Sequence, residues 1–179
     1  MTLTTAAVLG TGAWGTTFAQ VLADAGVDVT MWGRNADTIS FINGGENPTY
    51  LPGIALSDRI SATAEITEAV AGRELVVVAV PVKAVRATLS AAREAFAPGV
   101  ALLSLAKGLE LGSLKRVDEI IAEASGVPEN RIAVLSGPNL SREIAERQPT
   151  ATVVAASDVE LAKEIAKACH NSYFRPYVS

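Results

Sequence analysis

Short apolar runs recur along the chain and alternate with stretches whose apolar residues fall three and four apart. The runs at 6–9, 28–32, 75–80, 100–105, 132–136 and 152–156 read as strands, with 60–63 a weaker one. Leu75-Val76-Val77-Val78-Ala79-Val80 has no polar alternation, which suits a strand buried on both faces of a parallel sheet. Phe18, Val21, Leu22 and Ala25 form a helical stripe that Gly26 is placed to end. Val117, Ile120, Ile121 and Ala124 form another, ended by Gly126, and Leu161, Ile165 and Ala168 mark a helix capped by Ser157 or Asp158. Such alternation predicts an α/β fold: a Rossmann-type, doubly wound, mostly parallel sheet with helices on both faces. Residues 43–58, rich in Gly and Pro, read as a long irregular loop of the kind that is functional or disordered. Residues 173–179 read as a last strand.

Composition narrows the function classes. Hydrophobic residues make up 49% and charged residues 19% of 179 residues, enough for one folded domain over 1–179. A net charge of −4 gives no basic field, so nucleic acid is not expected as a partner. Cys169 has no second cysteine to pair with, which suits a reducing compartment. The start, Met1-Thr2-Leu3-Thr4-Thr5, lacks a basic signal region, and Gly10, Gly12 and Gly15 break the apolar stretch after it. No membrane insertion is expected, and the setting reads as cytoplasmic.

The chemistry concentrates where strands end. Gly10-Thr11-Gly12-Ala13-Trp14-Gly15 fits G-x-G-x-x-G, follows a strand and opens an amphipathic helix. Gly10 permits the turn, Gly12 lets a pyrophosphate approach the backbone, and Gly15 lets helix and strand pack. The helix then offers free N–H groups to the phosphates; a glycine turn without a ligand is the bland alternative. Trp14 is either core packing or a cover over the cofactor. After the second strand comes Trp32-Gly33-Arg34-Asn35, with no carboxylate for a ribose 2′-hydroxyl. Arg34 can instead pair with a 2′-phosphate, so NADP(H) should be accepted, unless Arg34 is a solvated strand end. Pro81 closes a strand and starts a helix at the carboxyl edge. Lys107, just past the next strand, can meet an anionic ligand or can be a plain surface lysine. In Ser136-Gly137-Pro138-Asn139-Leu140-Ser141, either Asn139 or Ser141 can cap a helix. No metal site is expected.

Taken in order, GTGAWG, the Trp-Gly-Arg strand end, Asn47-Pro48-Thr49-Tyr50-Leu51-Pro52-Gly53, VAVP, AKGLE and SGPN resemble the NAD(P)-dependent glycerol-3-phosphate dehydrogenases, from Leu9 to Tyr177. The resemblance implies that Ala13, Trp14, Arg34 and Tyr50 contact the dinucleotide and that Lys107 touches both cofactor and glycerol phosphate. Gly10, Gly12, Gly15, Pro81 and Ser141 complete the cofactor site, and Gly137 and Asn139 hold substrate. The family often has Ser where Ala13 stands, and Ser or Thr where Asn139 stands. Its proton-transferring lysine sits on a second, helical domain, in a Gly-rich segment ending in Lys-Asn, so the chain is expected to be the cofactor half of a longer, homodimeric enzyme. That enzyme would reduce dihydroxyacetone phosphate to sn-glycerol 3-phosphate with NAD(P)H for glycerophospholipid synthesis. His170 reads as a helix-end residue and not as the missing acid. A related hydroxy-acid dehydrogenase and a non-catalytic NAD(P) sensor are the competing readings.

Overall fold

The computed structural model describes residues 3–179; Met1 and Thr2, where the expected non-secretory start begins, lie outside the described residues. Strand β1 (Thr5–Leu9) and strand β2 (Asp28–Trp32) pair in parallel across helix α1 (Ala13–Asp24). Ala6 to Leu9 are fully buried, as a strand covered on both faces requires. On α1, Phe18, Val21 and Leu22 are buried, and the helix closes at Ala25 before Gly26 takes a φ of +96°.

Helix α2 (Ala36–Asn43), a small antiparallel pair β3 (Glu46–Asn47) and β4 (Leu51–Ala55), and strand β5 (Ile60–Thr63) follow. Next come α3 (Ile66–Val70), β6 (Leu75–Val78), α4 (Val82–Ala92), β7 (Ala101–Ser104) and α5 (Val117–Ser125). The chain finishes with β8 (Ile132–Ser136), α6 (Ser141–Ala145), β9 (Thr150–Ala156), α7 (Val159–Cys169) and β10 (Phe174–Val178). Asp158, not Ser157, caps α7 by accepting from the Glu160 amide at 2.9 Å. His170 is the exposed C-cap of that helix.

The main sheet runs β10-β9-β8-β7-β6-β1-β2-β5, with β5 through β8 parallel. From β1 the chain builds outward to β2 and β5, then returns to lay β6 on the other side of β1 and builds the opposite way. That reversal of order leaves a crevice above the carboxyl ends of β1 and β6. The last two strands run the other way: β9 is antiparallel to β8, and β10 is parallel to β9. A five-residue α6 rises only about 7.5 Å, too little to carry the chain back along a strand of roughly 16 Å. β9 therefore has to start at the edge where β8 ends.

Helices cover both faces, as expected. On one face α1, α2 and α7 bury Phe18, Leu22, Ile42, Leu161 and Ile165 with Met31 and Phe174. Phe18 makes edge contacts with Trp14 (centroids 5.7 Å) and Phe174 (6.1 Å). On the other, α3, α4 and α5 bury Val70, Val85, Leu89, Ile120 and Ile121 over Val76 and Val78. Among the described residues, no helix is long and apolar enough to cross a membrane.

Residues 43–58 correct the sequence reading. They are not an irregular loop: β3 and β4 pair, and Asn47 and Leu51 are buried.

Candidate functional site

Three glycines shape the floor of the crevice. Gly10 holds φ +124°, and a Cβ there would lie 2.9 Å from the Ala79 carbonyl oxygen. At Gly15 a Cβ would meet the Gly10 carbonyl at 2.4 Å, so α1 and the turn pack closer than any side chain allows. Gly12 differs: a Cβ there would find nothing within 4 Å. It is the N-cap of α1, with no side chain capping the helix, so the positive end of α1 opens onto free space.

That space is a cleft of about 610 Å³. Gly10, Gly12, Trp32, Arg34, Tyr50, Pro81 and Lys107 help to line it. Among the described residues, Arg34 and Lys107 are the charged ones on its walls, and no acidic residue lines it. A cleft with a helix N-terminus at its floor and two cations among its lining residues suits a ligand carrying several phosphates. Asn35, beside Arg34, uses its side chain to cap α2, accepting from the Thr38 amide at 2.8 Å.

Tyr50 reaches the cleft because the β3–β4 hairpin is fastened to the glycine turn. Asn47 Nδ2 donates to the Thr11 carbonyl at 3.0 Å and to Thr16 Oγ1 at 2.9 Å, while its buried Oδ1 has no partner among the described residues. On the far side, Arg142 Nη1 donates to the Pro52 carbonyl at 2.6 Å. Gly33 completes the fit, since a Cβ there would strike Thr11 Cγ2 at 2.6 Å. Asn47, Gly33 and Arg142 were not read as site residues; in sequence they are an Asn before Pro, a glycine at a strand end and a solvent-facing arginine.

Lys107 joins two loops: its Nζ donates to the Gly137 carbonyl at 2.9 Å. Neither Asn139 nor Ser141 caps α6, whose N-cap is Leu140 with no side-chain bond. Asn139 Nδ2 donates to Thr152 Oγ1 at 3.3 Å, and its buried Oδ1 has no partner among the described residues. Gly137 is closely packed: a Cβ there would stand 3.1 Å from Thr152 Oγ1. Gly137 and Asn139 do not line the cleft themselves and adjoin it through Lys107. Ala13, Trp14, Gly15 and Ser141 also lie off the lining. Trp14 belongs to the packing, edge-on to Phe18, and the Ser141 carbonyl accepts from Thr17 Oγ1 at 3.2 Å.

Residues 5–162 match the sequence profile described as NAD-dependent glycerol-3-phosphate dehydrogenase N-terminus. The chain is 50% identical over 179 residues to a glycerol-3-phosphate dehydrogenase [NAD(P)+] of Thermobifida fusca, covering 99% of this chain and 53% of that protein. Another of that name, from Streptomyces griseus, is 50% identical over 175 residues, 97% of this chain and 52% of the relative. Among solved structures, glycerol-3-phosphate dehydrogenase from Coxiella burnetii superposes with a TM-score of 0.91 at 28% identity, covering 99% of this chain and 54% of that one. The chain thus spans about half the length of the curated relatives it matches.

Proposed function

We propose, from the premise that this chain belongs to the NAD-dependent glycerol-3-phosphate dehydrogenase family, that residues 1–179 are the NAD(P)-binding half of an enzyme reducing dihydroxyacetone phosphate to sn-glycerol 3-phosphate. The observation that carries the reading is Gly12: an uncapped helix start facing free space in a cleft whose lining includes two cations, Arg34 and Lys107. The amides at the start of α1, from Ala13 and Trp14, receive the pyrophosphate, with Gly10 and Gly15 shaping the turn. Arg34 takes a ribose 2′-phosphate, so NADP(H) is accepted, and Tyr50 and Pro81 wall the cleft. Ser141, which lies off the cleft's lining, is assigned to the neighbourhood of the cofactor by the resemblance alone.

The nicotinamide supplies the hydride chemistry. This chain's residues bind and orient: Lys107, already linked to Gly137, places a positive charge where cofactor and substrate phosphate meet. The unpartnered Asn139 Oδ1 is an acceptor for a substrate hydroxyl. Reduction also needs a proton on the substrate oxygen, and the resemblance puts its lysine donor in the half of the relatives that this chain does not span. Residues 1–179 alone are therefore expected to bind dinucleotide without turnover, since proton transfer alone contributes roughly two to four powers of ten. The whole enzyme would be cytoplasmic and a homodimer; sedimentation of the longer protein checks the oligomeric state.

The test is a titration of the 179-residue chain with NADPH, followed through Trp32, which lines the cleft. Quenching is expected, together with no NADPH oxidation when dihydroxyacetone phosphate is added. A folded sample that takes up neither nicotinamide nucleotide at millimolar levels overturns the reading.

A further inference from the structure

Lys107 sits on a segment that buries little of its own. Leu109, Leu111 and Leu114 of that segment are exposed, and Gly108, Gly112 and Leu114 all hold positive φ. Apolar packing cannot be what fixes such a loop, so polar groups have to do it. Glu110 does this three residues past Lys107. Its Oε1 accepts from Arg86 Nε at 2.9 Å, and its Oε2 accepts from Arg86 Nη2 at 2.8 Å and from Ser113 Oγ at 2.6 Å. Around it the loop closes on itself: the Glu110 amide donates to the Lys115 carbonyl at 2.9 Å, and the Leu114 amide donates back to the Glu110 carbonyl at 2.9 Å. Arg86 also donates to Glu123 at 3.1 Å, and Glu123 pairs with Lys115.

Arg86 lies on α4, the helix whose entry residues Pro81 and Val82 form a wall of the cleft. Neither Arg86 nor Glu110 lines the cleft. The two-pronged bond therefore spans from the wall to the loop behind Lys107. A planar guanidinium meeting both carboxylate oxygens fixes direction as well as distance, which a single lysine contact does not. We propose that Arg86 and Glu110 are positioning residues that set where Lys107 stands over the cleft and so govern ligand affinity without touching ligand. The same contacts hold the Glu110 carboxyl ionised, well below the usual carboxylate range, so the bond persists throughout neutral pH. This inference rests on the reading that Lys107 meets the dinucleotide.

A double-mutant cycle in the 179-residue chain tests it, with NADPH as the probe. Glu110→Gln is expected to weaken NADPH binding about three- to tenfold in the native background and to have no further effect in Lys107→Ala. Arg86→Lys, which keeps the charge and loses the fork, should weaken binding as well. A merely structural role would make the two losses multiply, and that outcome, or native affinity in Glu110→Gln, overturns the proposal. Amide exchange without nucleotide gives an independent reading: residues 108–115 should exchange faster in Glu110→Gln while β1, β6 and β7 keep their protection. Unchanged exchange in that loop also overturns it. Failure of the native chain to bind NADPH would count against the functional reading, and the exchange measurement would still decide the loop.

Discussion

Gly12 and Gly15 stand three residues apart on one turn, and a methyl group added to each should remove nucleotide binding at different costs in stability. At Gly15 the new Cβ would press on a backbone oxygen 2.4 Å away, which cannot move without moving the turn. Gly15→Ala is expected to cost about 1–3 kcal/mol of stability, as overpacking does, and to abolish nucleotide binding. At Gly12 the backbone already has φ −71° and the space is open. Gly12→Ala should cost only about 0.5–1 kcal/mol of stability, the difference between Gly and Ala at a helix N-cap, yet block the approach of the pyrophosphate. Parallel melts and NADPH titrations of the two variants separate these effects. Arg34→Ala makes a second test of a single side chain: losing a charge-assisted bond to phosphate should weaken NADPH by about tenfold, or 1.4 kcal/mol, and NADH much less. Comparison of the two dissociation constants checks it. Glu110 supplies a test by pH. Its folded value of about 2 lies below the ordinary 4.5, so its contribution is complete above pH 4.5 and is lost as pH falls toward 2. Native protein and Glu110→Gln should therefore melt apart at pH 6 and converge near pH 2.

Among the elements, the β3–β4 hairpin depends most on one residue. Asn47→Ala removes both donors that hold it to Thr11 and Thr16. Faster amide exchange over 46–55 is expected, with weaker NADPH binding as Tyr50 drifts, and with β1 and β6 unaffected. The hairpin also marks where the sequence stopped being legible. Strands β2, β5 and β8 have the bounds that apolar runs predicted, because residues such as Val29, Met31, Ile60, Ala62, Ile132 and Leu135 are buried on the sheet and the runs are bracketed by turn residues. β6 stops at Val78 and not at Val80, since the chain turns toward Pro81. β3 is two residues long, and the burial of its Asn47 has no periodic signature. Helices α2 and α3 passed unnoticed for a related reason: they are short and bury few residues, Thr38 and Ile42 on one, Ala69 and Val70 on the other. At the cleft, residues with a backbone role (Gly10, Gly12, Gly15, Pro81) could be found by pattern. Those acting through a distant partner, such as Asn47 with Thr11 or Arg86 with Glu110, could not.

For the molecule as a whole, two apolar layers share one sheet, and the cleft opens at the sheet's middle, where both layers meet. Nucleotide binding there should raise the stability of the entire domain. At a free concentration one hundred times the dissociation constant, the gain is about 2.7 kcal/mol, which for a domain of this size shifts the midpoint by roughly 5–10 °C. Differential scanning fluorimetry with graded NADPH should show that shift in one transition; no shift at saturation would contradict the site. The reversed direction of β9 and β10 has a practical side. Both strands set out from the edge that carries the cleft, and Ser179, whose amide donates to the Val154 carbonyl at 3.0 Å, is already heading for the opposite rim. A biotin or a sensor-chip linker joined at that terminus would leave the nucleotide entrance facing the flow, so surface-based binding measurements can be set up without redesigning the protein.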